Sequence, residues 1–222
     1  IYGGEPLLDM DRLESILRSI NTRRYLIHIQ TNATLLDEDR IVTLKRLGVD
    51  KFILSFDPYH ETGDWAKMLE SRIAMVHLLK KHGLRTIAVA VAAHNVIRIP
   101  AFHRMIEVCR ELDIWLVLNL PIPLGSWLHN ADVVLTEDDK KYVRELAAAH
   151  QHVRLDFDLN FVNFGCPAFT ERFHVNAYGD VQPCTFSHVS FGNVRTSNLE
   201  AIRAKGLRNK VYNVYLPYCP PA

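Results

Sequence analysis

Two hydrophobic rhythms alternate along the first three quarters of the chain. Leu13, Ile16, Leu17 and Ile20 fall at helical spacing with polar residues between them. Tyr25 to Gln30 is a strand-like run that ends at Thr31-Asn32. Asp37 is placed to cap a helix carrying Ile41, Leu44 and Leu47, and Gly48 is placed to stop it. Lys51 to Phe56 reads as the next strand, and a helix follows from about Trp65 to His82, closed by Gly83. Thr86 to Val91 is a strand of small and branched residues, and Ile99, Phe102, Ile106 and Cys109 mark another helix face. Ile114 to Leu120 is almost wholly apolar, the pattern of a strand covered on both faces. Thr136 with Asp139 three residues on resembles a capping box, and Val153 to Phe157 is a last strand. Strands separated by single helices imply right-handed βαβ crossovers and a parallel sheet. The fold class is therefore α/β. Four or five such units make a partial (β/α) TIM-like barrel rather than the full eight.

The rhythm changes after Asn163. Phe173 to Asn176 and Val181 to Cys184 flank Ala177-Tyr178-Gly179-Asp180, which predicts a β-hairpin turning at glycine. Asn198 is placed to cap a short helix through Lys205, and the tail is rich in Pro and Tyr. The expected division is a barrel over 1–160 and a small hairpin-plus-helix extension over 161–222.

Composition narrows the classes. Lys+Arg number 26 and Asp+Glu 25, a net charge of +1, which gives no electrostatic case for nucleic acid or an anionic membrane as a partner. No apolar run approaches the roughly 20 residues of a membrane-spanning helix. Four cysteines in 222 residues are too few for a disulfide scaffold, so a reducing, cytoplasmic setting is expected. The chain opens on Ile1 rather than methionine, and the expectation is that it is trimmed or partial.

In a barrel or an open parallel sheet, ligands bind at the carboxyl ends of the strands. Those ends read Gly3-Gly4-Glu5, Thr31-Asn32, Ser55-Phe56-Asp57, His94-Asn95 and Asn119, all polar, small or ionisable. Glycines let a backbone approach a ligand, Glu5 offers a carboxylate suited to an ammonium group, and Pro6 stiffens the exit into the next helix. The octet Ile1-Tyr2-Gly3-Gly4-Glu5-Pro6-Leu7-Leu8 resembles the GGEP motif of radical S-adenosylmethionine (SAM) enzymes. In that family the motif ends the second barrel strand and holds the amino group of SAM. The resemblance implies a cofactor site of Gly3, Gly4, Glu5 and Pro6. It also implies Ser55 or Asp57 toward the ribose, from a Ser-x-Asp that the family carries there. Asn32 joins them through a Thr-Asn-Gly-like turn in which Ala33 stands for the glycine. For Asp57 a helix cap or Asx turn is an equal alternative, and for Asn32 simple turn stabilisation is. Pro121-Ile122-Pro123-Leu124-Gly125 resembles a loop of the same family. Tyr59-His60-Glu61 offers a base between acids but reads more simply as surface loop.

The cysteines give a second signal. Twelve residues separate Cys166 from Gly179 and four separate Gly179 from Cys184. This spacing resembles the SPASM/twitch extension, which binds an auxiliary iron–sulfur cluster through cysteine thiolates. Gly192-Asn193-Val194 also resembles it, and Cys219 would be a third ligand, although Ala222 stands where the family often has a further cysteine. Zinc held with His188 is the alternative for the same thiols. Cys109, on an apolar helix face, reads as a buried hydrophobe.

The resemblance implies an enzyme that reductively cleaves SAM on a [4Fe–4S] cluster to a 5′-deoxyadenosyl radical. Its implied partners are an electron donor and a peptide or protein substrate. The C-x3-C-x2-C motif for the catalytic cluster is absent between Ile1 and Ala222. Either that segment lies ahead of Ile1 in the complete protein, or the chain is a cluster-less barrel that serves as a binding protein. A zinc-stapled binding domain is the remaining alternative.

Overall fold

The computed structural model describes residues 1–58, 65–121, 127, 129–156 and 165–215. The chain divides into two compact units, Ile1–Leu155 and Asp156–Ala222.

In the first unit, strands β1 (Ile27–Thr31), β2 (Val49–Ser55), β3 (Arg85–Val91), β4 (Trp115–Asn119) and β5 (Val153–Leu155) form one sheet in sequential order. Every neighbouring pair is parallel. Helices α2 (Glu38–Arg46), α3 (Trp65–Lys81), α4 (Pro100–Glu111) and α5 (Glu137–Ala149) make the crossovers, and α1 (Met10–Ser19) precedes β1. Right-handed crossovers that always step in one direction put all their helices on one face. That is the arc of a barrel, not a doubly wound sheet whose order reverses.

The two faces of the sheet differ as this predicts. Thr31, Leu54, Ala88, Leu116 and Val153 lie in register across the sheet, and all are buried. The opposite row of Gln30, Ile53, Ile87 and Trp115 is half-buried, rising to 46% exposure at Trp115. The apolar run at 114–120 predicts a strand covered on both faces, and here the structure departs from it. Only the helix-facing side of β4 is fully buried among the described residues.

Local signals set the helix starts as read. Asp37 caps α2 through the Arg40 N–H, and Thr136 with Asp139 completes a capping box at α5. Gly48 and Gly83 close their helices at φ +89° and +68°. Ile1 extends the sheet past β1: its nitrogen donates to the His28 carbonyl and its carbonyl accepts from the Gln30 N–H at 3.0 Å. That is a parallel bridge, and it runs straight into Gly3-Gly4-Glu5.

The second unit holds a three-stranded antiparallel sheet of β6 (His174–Val175), β7 (Asp180–Gln182) and β8 (Gly192–Asn193), followed by α6 (Leu199–Leu207). Asn198 caps α6 through the Glu200 N–H. Its core is Ala168, Phe169, Val181, Phe191, Ile202 and Tyr212, with Phe169 and Phe191 rings 4.7 Å apart. Among the described residues, no helix is long and apolar enough to cross a membrane.

Candidate functional site

The strand-end loops of the first unit converge on Glu5. Its Oε1 accepts from the Leu7 N–H at 3.1 Å and the Thr31 hydroxyl at 2.7 Å, and its Oε2 accepts from the Asn32 N–H at 2.8 Å. The carboxylate therefore caps the short 3-10 turn Pro6–Leu8 and continues the ladder of β1 where Ile1 leaves it. Pro6 opens that turn and Leu7 is buried beneath it. A carboxylate has about four acceptor positions, so the three donors found among the described residues leave one open on Oε2. Glu5 thus fixes its own loop and can still accept one donor from outside.

Beside it, Gly3 and Gly4 take φ +99° and +51°, and a Cβ built on either meets no atom within 4 Å. Both glycines are required by conformation, and both face open space that a ligand can fill. Ser55 sits at the end of β2, on the half-buried side of the sheet. Among the described residues its hydroxyl has no hydrogen-bond partner.

The sequence reading missed Arg72. It lies on α3, is 5% exposed, and donates from Nε to the Ser55 carbonyl at 3.1 Å. Its other N–H groups make no hydrogen bond among the described residues. Burial pulls its pKa below the ordinary guanidinium value while the charge of Glu5 opposes the shift, so the two groups lie within electrostatic reach. The signal for Arg72 was a lone arginine on an otherwise apolar stripe with Leu69, Val76 and Leu79. That pattern does not say what the arginine faces.

The remaining first-unit candidates serve the backbone. Asn32 Oδ1 accepts from the Thr34 N–H and hydroxyl, an Asx turn. Asp57 Oδ1 accepts from the Val91 N–H at 2.6 Å, tying β2 to β3 beyond their last paired residues. Tyr59-His60-Glu61 and Ile122 to Gly125 lie outside the described residues.

In the second unit, Cys166 and Cys184 are both free thiols and partly exposed. Cys166 packs against the aromatic core. Cys184 Sγ accepts the Phe186 N–H at 3.4 Å, and hydrogen bonds to cysteine sulfur are one of the features that tune iron–sulfur sites. Gly179, between them, has φ +92°, and a Cβ there would stand 2.8 Å from Asn193 Oδ1. Asn193 Nδ2 reaches the Tyr178 carbonyl and Asp180, while the Val194 N–H donates to the Gly179 carbonyl. The glycine spacing and the Gly192-Asn193-Val194 segment are thus one interlock. Cys219 lies outside the described residues. His188 is within electrostatic reach of His174, whose pKa burial and then His188 lower. Among the described residues no group of three or more His, Cys, Asp or Glu could hold a metal ion.

Three comparisons with known proteins bear on the fold and on the second unit. Residues 166–220 match the sequence profile of SPASM, an iron–sulfur cluster-binding domain. The chain is 28% identical to the PqqA peptide cyclase of Gluconobacter oxydans (strain 621H), over 90% of this chain and 61% of that protein. Among solved structures it resembles native anSMEcpe with bound AdoMet, with TM-score 0.63, 18% identity, and coverage of 96% of this chain and 66% of that one. The complex of the same protein with AdoMet and the Cp18Cys peptide gives TM-score 0.57 and 19% identity over 96% and 67%. The fold is the one these solved structures share, a partial (β/α) barrel followed here by a hairpin-plus-helix extension. The second unit is similar to the SPASM iron–sulfur cluster-binding domain, and the chain as a whole to a peptide cyclase. The chain spans about three fifths of the curated relative it matches.

Proposed function

We propose that this chain is the SAM-binding and auxiliary-cluster part of a radical SAM enzyme that modifies a peptide or protein. The observation that carries the reading is the charge pair at the strand ends. Among the described residues Glu5 keeps one acceptor position and Arg72 keeps unpartnered N–H groups, and the two glycines next to Glu5 are open to solvent. An acceptor and a donor cation within electrostatic reach of each other complement an α-amino acid zwitterion, which is the methionyl end of SAM. Gly3, Gly4 and Glu5 would take the ammonium, Arg72 the carboxylate in charge-assisted hydrogen bonds, and Ser55 a hydroxyl of the nucleoside. Asp57 and Asn32 hold the loops around them, and Pro6 fixes the exit of the first. When bound beside a reduced [4Fe–4S] cluster, SAM supplies a 5′-deoxyadenosyl radical. The chain's part is to orient SAM and exclude water.

Cys166, Cys184 and Cys219 would hold an auxiliary cluster, with the Phe186 N–H donating to the Cys184 sulfur. The named activity of the PqqA peptide cyclase and the peptide complex of anSMEcpe support a peptide substrate. An electron donor completes the partner set, and a cytoplasmic setting follows from the need to keep thiols reduced.

Equilibrium dialysis of SAM against the protein, purified without oxygen, tests the reading. The expected result is saturable binding that Arg72→Gln weakens at least tenfold. Binding unaffected by Arg72→Gln, or none by the unaltered protein, would sink it.

A further inference from the structure

We propose that His94 is a proton-accepting residue presented at the strand-end mouth of the first unit, positioned by Asp139 and aimed at an N–H or O–H group of a bound substrate. Strand β3 ends at Val91, and after the buried Ala92 and Ala93 the chain surfaces at His94. The His94 N–H donates to the Val133 carbonyl at 3.1 Å, which ties this loop to the one leading into α5. Its Nδ1 lies 2.6 Å from Asp139 Oδ2.

Asp139 decides the tautomer. Its side chain is 2% exposed, and it accepts from the Thr136 N–H at 2.9 Å, the Thr136 hydroxyl at 2.7 Å and the Arg98 guanidinium. Burial alone would raise its pKa. Hydrogen bonds from Arg98, Thr136 and His94 outweigh that and hold the carboxyl well below the usual carboxylate range. An ionised carboxylate only accepts, so Nδ1 must donate. In neutral His94 the lone pair then belongs to Nε2, which has no partner among the described residues, on a side chain 48% exposed. The capping box is complete with Thr136 alone, and Arg98 already compensates the buried charge. Capping therefore does not require His94.

The step is a plain proton transfer. The X–H bond breaks with its electron pair left on X, an N–H bond forms at Nε2, and Asp139 stabilises the imidazolium that results. The charged group that contacts the ring is Asp139 from α5, and Arg98 from the His94 loop binds the other oxygen of that carboxylate. The target's being a peptide rests on the function proposed above; the tautomer does not.

Long-range 1H–15N spectra of the labelled protein decide the first point. Nδ1–H with an unprotonated Nε2 is expected, and a predominant Nε2–H tautomer overturns the proposal. The second readout is product formation from peptide by the anaerobically prepared enzyme. His94→Gln is expected to lower it at least thirtyfold, to remove the acid limb of the pH profile, and to be partly rescued by added imidazole. A rate within threefold of the unaltered enzyme, or a loss without rescue and with a lowered melting temperature, overturns it. Release of 5′-deoxyadenosine by unaltered enzyme is followed in parallel. Its absence would end the radical SAM reading and leave the tautomer as the judge of His94.

Discussion

At Ala33 the backbone takes φ +59°, the left-handed region that costs a non-glycine residue roughly 1–2 kcal/mol. The Ala33 N–H donates to the Thr31 hydroxyl, which itself reaches Glu5, so the strained residue holds the site's central contact in place. Glycine would adopt the turn freely but would lose more entropy on folding, about 0.5–1 kcal/mol. Ala33→Gly is expected to stabilise the fold by about 0.5–1 kcal/mol in urea melts. A loss of stability would show that the buried methyl matters more than the strain. Cys109 is a different case. Burial pushes its thiol up to about 12, so at neutral pH it is not a nucleophile. Under native conditions an alkylating reagent should label Cys166 and Cys184 well before Cys109, as mass spectrometry of peptides would read. Early labelling of Cys109 would mean that α4 opens readily.

At the level of elements, two helices carry testable contacts. The cap of α5 depends on an ionised Asp139. Its folded pKa lies below the ordinary value of 3.8, so it stabilises the fold above that pH and loses the contribution as pH falls through the folded value. Asp139→Asn should cost about 1–3 kcal/mol at neutral pH, with the gap closing below about pH 4. A gap that does not change with pH would assign the cost to packing. In α6, a Cβ on Gly206 would lie 2.0 Å from the Phe169 ring. Gly206→Ala overpacks the small core and should lower the stability of the second unit by about 1–3 kcal/mol. Proteolysis of that unit at rising urea would read the shift, and resistance equal to the unaltered protein would show that Phe169 moves aside.

At the scale of the whole molecule, the two units bring different resources. The first buries a continuous layer between sheet and helices. Among the described residues the second has a hydrophobic core of only six, so bound metal should contribute a large share of its stability. Loading with iron and sulfide without oxygen is expected to raise the melting temperature of the second unit, with iron and acid-labile sulfide bound together. Cys184→Ala should abolish both effects. Stoichiometric zinc without sulfide would replace the cluster with a zinc site.

Much of this was present in the chain itself. Hydrophobic period, caps at Asp37, Thr136 and Asn198, and stops at Gly48 and Gly83 determined the elements, because each acts over only a few residues. The glycines of the first loop and the Cys166–Gly179–Cys184 spacing pointed to the two candidate sites, because turn geometry demands glycine there whatever surrounds it. The tertiary structure alone decided what those residues face. Glu5 is anchored in its own loop because β1 brings Thr31 and Asn32 against it. Arg72 and Asp139 acquire their roles from Ser55 and His94, 17 and 45 residues away. No local pattern encodes a contact of that span; it exists only once strands pair in parallel and bring their carboxyl ends to one mouth.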